Sequence, residues 1–385
     1  MAHHQGLILL SIGNLFFDNI FQKRFMQNPE IEAVDILLEE RMPKEAILTK
    51  ENKEKVEKLK PEDYESYSQK EYTKPEKNLL RSNVIASDNY MVYLDDRGRG
   101  FSKYKDILIN KFSKTADYDQ GIFFYLKNIK TKQTWTTAYL GSNKQERYKI
   151  TFSSDSNQIE KTEGNIETKT KITVVPNEAT EIRRLSIKNN GPLEEMLEVS
   201  SFLEPVLSKE TQENAHPAFN NLFLKYEWKD NIMLVERRKR GKDEEKVFLA
   251  VSFFSEDETI GKLEYEIDKA KLVGRGNISV PEMIAASKPF SRNVALAVES
   301  ALAFRTTIKI APDEEKQISL ILSVAQDENE AISNVQKYQS SEKIKRAIEL
   351  RKSKKRSRKR VFRNTRKASR KLSENPRLFN KTKST

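Results

Sequence analysis

The stretch FRTTIKIAPDEEKQISLILSV, residues 304–324, decides the fold class. Phe304, Thr306, Ile308 and Ile310 alternate with Arg305, Thr307 and Lys309. Ala311-Pro312-Asp313 is a turn signal, and Ile318, Leu320, Leu322 and Val324 then alternate again. Successive side chains of a strand point to opposite faces, so period two predicts two half-buried strands joined by a turn.

The same pattern extends toward the N-terminus. Ile166, Thr168, Thr170, Ile172 and Val174 share one side of a strand. VFLAVSFF, residues 247–254, is an unbroken apolar run suited to a strand covered on both faces. Asp95-Asp96-Arg97-Gly98 and Asn189-Asn190-Gly191-Pro192 are further turns. Many short strands without regular helices between them predict a mainly β chain, a large antiparallel sandwich over residues 78–326.

Outside that span the period changes. The first 42 residues read as two helices. Leu7, Leu10, Phe17 and Phe21 form a stripe that Ile8, Ile12 and Leu15 widen. The second begins at Asn28-Pro29-Glu30 and turns Ile31, Val34, Leu37 and Leu38 to one face, ending near Met42-Pro43. Two such faces are too wide to cover each other, which predicts the end of a larger helical domain. Residues 44–77 read as a charged linker with a short helix over 49–59. Residues 327–350 read as a linker helix, with Ala331, Val335, Tyr338, Ile344 and Ile348 on its apolar side.

The formal net charge of +12 misleads if taken whole. From Arg351 onward the chain holds sixteen of the 69 basic residues and one of the 57 acidic ones, Glu374. The first 350 residues therefore carry about −3, and the basic character belongs to the tail. That tail has no apolar face and reads as disordered. It could attract phosphate polymers or an anionic membrane, but no aromatic platform is interleaved with its charges. An autonomous scaffold using this tail is the alternative reading of function; no specific nucleic-acid partner is predicted.

There is no cysteine, so neither a disulfide nor a thiolate metal site can form. His3 and His4 are adjacent and point to different helix faces, a poor metal pair. No metal or cofactor is expected. Gly98-Arg99-Gly100 and Gly274-Arg275-Gly276 lack the context of a dinucleotide loop and read as hairpin turns. The run from Gly6 to Phe21 is too short and polar to span a bilayer, so no transmembrane segment is predicted. No pair among the carboxylates stands out as a sugar-cleaving acid and base, and no catalytic residue is assigned. Trp135, Tyr104, Tyr139, Phe219 and Trp228 could stack on sugar rings, although aromatics in a sandwich mostly fill its core. His216-Pro217-Ala218-Phe219-Asn220-Asn221 combines a titratable donor, a rigid turn, an aromatic and two amides, a mix that suits a polyhydroxyl ligand.

Several segments together resemble a known family. NVIASDNYMVYLDDRGRGFSKYKDILINKF (83–112), DQGIFFYLKNIKTKQTWTTAY (119–139), IETKTKITVVPNEATEIRRLSIKNNGPLEEMLEVSSFLEPVL (166–207), AHPAFNNLFL (215–224) and LVGRGNISVPEMI (272–284) are similar to the β-supersandwich of glycoside hydrolase family 94, formerly glycosyltransferase family 36. Within the family the chain is most similar to the cyclic β-1,2-glucan synthases. Residues 1–43 resemble the junction where their helical, glucoamylase-like domain ends. The resemblance implies a carbohydrate-associated module that partners a β-glucan or oligosaccharide and a catalytic (α/α)6 barrel, the barrel being absent from this chain. It implies a cytoplasmic module whose parent enzyme is anchored in the inner membrane. By position in the family, Tyr104, Asn220 and Asn221 are carried over, and with His216 of the turn they are the sugar-binding candidates. KYQSSEKIKRAIEL (337–350) still fits the family; Arg351 onward does not, which predicts a tail read in a shifted frame and a start at an internal methionine.

Overall fold

The structure is a computed structural model and describes residues 2–28, 31, 69–75, 81–112, 119–140, 147–239, 241, 244–295 and 297–351. The chain divides into two units, Met1–Lys60 and Pro61–Thr385. Apart from Asn28 and Ile31, the helix expected from Asn28 to Met42 lies outside the described residues, as do the helix over 49–59 and the tail from residue 352.

The first unit contains α1 (Ala2–Phe16) and α2 (Ile20–Met26). The stripe expected to run from Leu7 to Phe21 is broken by a corner, because Asp18 and Asn19 both adopt left-handed backbone angles. Short polar side chains tolerate that conformation best after glycine. The Asn14 side chain accepts the Phe21 N–H at 3.0 Å, and Lys23 pairs with Asp18. A Cβ on Gly13 would sit 2.6 Å from the Phe21 ring, so the glycine admits that ring between the helices.

The second unit holds nineteen described strands. In chain order they are β1 (Lys70–Tyr72), β2 (Ser82–Ser87), β3 (Tyr90–Asp95), β4 (Gly100–Tyr104), β5 (Ile107–Asn110), β6 (Phe123–Asn128), β7 (Thr134–Thr136), β8 (Arg147–Phe152), β9 (Asn157–Glu163), β10 (Ile166–Val174), β11 (Thr180–Asn189), β12 (Glu195–Leu203), β13 (Pro205–Lys209), β14 (Leu224–Lys229), β15 (Ile232–Arg237), β16 (Phe248–Phe254), β17 (Ile260–Asp268), β18 (Ser300–Ile310) and β19 (Glu315–Ala325). They form three antiparallel sheets, ordered β1-β8-β9-β10-β11-β19-β16-β15-β14, β17-β18-β12-β6-β7 and β13-β5-β4-β3-β2. β1 lies inside the stretch expected to be linker.

The alternating residues pack as their period requires. Ile166, Ile172 and Val174 of β10, Phe304, Ile308 and Ile310 of β18, and Ile318, Leu320, Leu322 and Val324 of β19 share one core between the sheets. β16 is covered on both sides. Leu249, Val251 and Phe253 enter that core, while Phe248 and Ala250 enter a second one on the outer face of the nine-stranded sheet. The second core is roofed by a helix over Glu328–Lys337 and by helical residues 341–351. A single helix over 327–350 was expected. The chain instead leaves the helix at Tyr338, whose hydroxyl donates to Glu178, and the Ser341 N–H meets Glu256. Satisfying those two acids re-aims the second helix, and Ile344 and Ala347 still reach the core.

Helices also occur between strands, where none was expected: α3 (Glu210–Ala215), α4 (Pro217–Asn221), α5 (Lys269–Val273) and α6 (Glu282–Ala285). With α5 and α6, Leu272, Ile284 and Phe290 cover the outer face of the β17-β18-β12-β6-β7 sheet around Phe123, Tyr125 and Phe202. Gly98 does sit in a hairpin turn, between β3 and β4, with φ of 82°. Gly274 does not: at φ of 57° it ends α5 instead.

Candidate functional site

The sequence candidates gather around the end of the sheet β13-β5-β4-β3-β2. β13 runs directly into α3, and α3 into α4. Pro217 prevents one continuous helix, because its ring and missing N–H belong at a first helical turn. The result is a pair of short helical turns hinged at His216, with residues 214–219 exposed.

The four candidates have different surroundings. Asn220 is only 1% exposed. Its Nδ2 donates to Gln212 O at 3.0 Å and to Glu213 Oε2 at 2.9 Å, and its Oδ1 accepts from Arg237 at 3.1 Å. Those bonds commit its amide to the fold. Asn221 is half-buried and donates to Val298 O at 3.3 Å, tying α4 to the irregular strap over 286–295 and 297–299. His216 is exposed. Tyr104 ends β4, is half-buried against the main core, and has the Lys105 ammonium 5.4 Å from its ring centre. Its strand reaches the hairpin through Lys103, which pairs with Glu210 at 3.3 Å.

Of the five candidate stacking aromatics, Trp135 is buried in the core, and Tyr104, Tyr139 and Trp228 pack against it. Trp228 lies 4.6 Å from the Tyr265 ring and closes one edge of the sandwich. Phe219 is the exception, 45% exposed and edge-on to Phe223 at 5.2 Å. His216, Phe219 and Asn221 thus form the accessible part of the candidate site, with Val298, 72% exposed, on the adjoining strap.

Several charged groups that sequence reasoning passed over are buried. Arg237, which braces Asn220, is one. Asp95 caps the β3–β4 turn, accepting the Arg97 and Arg99 N–H groups at 3.0 and 2.8 Å and pairing with the Arg99 side chain at 2.8 Å. Asp96 beside it is pushed up to about 6, first by burial and then by the Asp95 charge. Burial also raises Asp119. On the outer face of the β17-β18-β12-β6-β7 sheet, Lys127 donates to the Ser287 hydroxyl, which donates to Glu198 at 2.8 Å. Burial holds the Lys127 ammonium below its usual range, against the pull of Glu198. Arg305, under Phe290 at 4.3 Å, pairs with Glu264 and donates to Lys288 O at 2.8 Å. These bonds fasten the strap that carries Val298. Only the Asp95-Asp96 turn had a sequence signal; the other partners are far apart along the chain.

Comparison with known proteins follows the same boundaries. Residues 65–341 match the family described as glycosyl hydrolase 94, supersandwich domain. Among curated proteins, the cyclic β-(1,2)-glucan synthase NdvB of Rhizobium meliloti (strain 1021) is 25% identical over 287 residues, which are 71% of this chain. The chain spans about 10% of that relative's length. Among solved structures, a bacterial glucoamylase complexed with acarbose aligns with 74% of this chain and 40% of its own, at a TM-score of 0.40 and 12% identity. A family 36 α-galactosidase from Geobacillus stearothermophilus aligns with 65% of this chain and 42% of its own, at 0.32 and 8%. With a match that begins just before β1 and ends where the second roofing helix starts, the chain belongs to the glycosyl hydrolase 94 supersandwich family.

Proposed function

We propose that this chain is the carbohydrate-associated sandwich of a larger β-glucan synthase or phosphorylase, working beside a catalytic (α/α)6 barrel. The family match across the sandwich carries this reading, together with a glucan synthase relative of which the chain spans about a tenth.

The placement of four of the buried acids supports a non-catalytic role. Glycoside cleavage needs two carboxyl groups facing each other across a sugar. Here Asp95 is bound to Arg99, Glu181 to Arg183, and Glu204 to Lys269, while Glu266 accepts the backbone N–H groups of Ile267, Asp268 and Ser291. Each is used to hold the fold. The surface suited to a sugar is the exposed turn, where the Phe219 ring can stack and His216 and Asn221 can hydrogen-bond.

Calorimetry with linear β-1,2-glucan tests the binding role. Heat that saturates, and that Phe219→Ala abolishes, is the expected result; no heat at millimolar sugar removes an independent binding role. Release of glucose 1-phosphate from β-1,2-glucan and phosphate by the purified chain would overturn the non-catalytic assignment.

A further inference from the structure

The turn Asn189-Asn190-Gly191-Pro192 leads from β11 toward β12 and places a reactive pair at the surface. Asn190 is the only asparagine of the chain followed by glycine. A side chain on the next residue shields an asparagine's carboxamide carbon from the following backbone nitrogen; glycine has none. Asn190 is exposed, so solvent base and water reach it.

Packing explains why glycine stands there. A Cβ on Gly191 would lie 2.8 Å from Asn165 Nδ2 and 3.0 Å from Asn165 Cβ. Asn165, in the turn between β9 and β10, also accepts the Asn190 N–H on its carbonyl at 2.9 Å. The fold thus selects the one successor that leaves Asn190 chemically open.

The residue before Asn190 supplies a restraint. Asn189 is fully buried. Its Nδ2 donates to Leu193 O at 2.7 Å and to Ile310 O at 3.2 Å, and its Oδ1 accepts the Gly191 N–H at 2.9 Å. The Gly191 nitrogen is the atom that would attack Asn190 Cγ, and it must first lose its proton. A proton shared with Asn189 Oδ1 is lost less readily, because the hydrogen bond has to break first.

We propose that Asn190 is a site of spontaneous deamidation, and that Asn189 sets its rate in the folded chain. The Gly191 nitrogen gives its proton to solvent base and forms a bond to Asn190 Cγ. The Cγ–Nδ2 bond breaks, and Nδ2 leaves as ammonia with a proton taken from water. Water then opens the cyclic imide. Opening at Cγ gives aspartate; opening at the main-chain carbonyl gives isoaspartate, with the chain running through Cγ. Either product disturbs the turn. Asn190 Nδ2 lies 3.3 Å from Glu167 Oε2, so an aspartate there sets two carboxylates side by side. Isoaspartate adds a main-chain carbon that displaces Gly191 from Asn189. The main chain of Asn189 also bonds to Asp313 and Glu314, so the damage reaches the β18–β19 turn.

Peptide mapping by mass spectrometry, on the full chain held in mildly alkaline buffer, tests this. In urea that unfolds the chain, Asn190 should convert before any other asparagine. In the folded chain the same conversion should be roughly tenfold slower or more. Asn189→Ala should quicken folded-state conversion about fivefold, the factor that one lost hydrogen bond supplies. Circular dichroism establishes that this variant is folded. A second measurement needs no variant: sub-denaturing urea should quicken conversion and hydrogen exchange at the Gly191 amide in parallel. Four results would each overturn the proposal. One is another asparagine converting first in the unfolded chain. Another is equal rates in the folded and unfolded chains. A third is a folded Asn189→Ala chain that converts no faster than the unaltered one. The last is conversion that does not follow exchange at Gly191.

Discussion

Glu181 and Arg183 stand two residues apart on β11 and pair at 2.6 Å, both out of contact with solvent. The pair joins all three sheets. Glu181 also accepts the Tyr90 hydroxyl of β3 at 3.0 Å and the Ser102 hydroxyl of β4, and Arg183 donates to Ile122 O, beside β6, at 2.9 Å. Removing one partner of a buried pair strands the other's charge. Arg183→Met should therefore destabilise the sandwich by about 3–5 kcal/mol, read as a fall in the urea midpoint with an unchanged slope. Glu181→Gln strands the Arg183 charge in the same way, and because its amide cannot accept from both Arg183 and Tyr90 it should cost a similar amount.

The hairpin at His216 offers a separation of stability from binding. Asn220→Ala leaves Glu213 and Arg237 without their shared partner and should cost about 1–3 kcal/mol in thermal unfolding. Phe219→Ala should cost less than about 1 kcal/mol, because nearly half of the residue is already in water and its described ring neighbour is Phe223. Glucan affinity should respond in the opposite order, falling with Phe219→Ala and holding with Asn220→Ala at temperatures where the variant is folded.

Asp96 makes stability depend on pH. Its folded pKa of about 6 lies above the ordinary 3.8, because burial and Asp95 disfavour its charge. The penalty is present in full above about pH 6, shrinks as pH falls through that value, and is gone below the unfolded pKa. Asp96→Asn should accordingly raise the stability at pH 7.5 by about 1–2 kcal/mol, with the gain fading near pH 4. A gain that is the same at both pH values would show that the charge is not its cause.

Gly100 is required for closeness rather than for an unusual angle. A Cβ there would lie 2.0 Å from Tyr93 O on the neighbouring strand. Gly100→Ala must spread β3 from β4 and should cost about 3 kcal/mol. Hydrogen exchange should quicken at Leu94 and Phe101 ahead of the rest of the sheet.

Much of this architecture was legible from residue order. Strands such as β10, β18 and β19 carry period two over nine to eleven residues, long enough to stand out. The interstrand helices were not legible, since four to six residues complete barely one turn and show no period. The break at Asp18-Asn19 was hidden because both flanking helices are apolar. In the candidate site, Phe219 and His216 were visible as residue types. The role of Asn220 was not, because it is set by Arg237, seventeen residues away and across a turn. Buried pairs such as Lys127 with Ser287 depend on contacts 160 residues apart that no local pattern records.

The roof over the nine-stranded sheet bears on where this domain can be cut. The family match stops at residue 341, yet Ile344 and Ala347 complete the core that holds Ile232, Leu234 and Phe248. A recombinant fragment ended at the family boundary would uncover a greasy sheet face and aggregate. One carried through residue 351 keeps its cover, and that is the end point to choose when the sandwich is grafted beside a barrel from a relative.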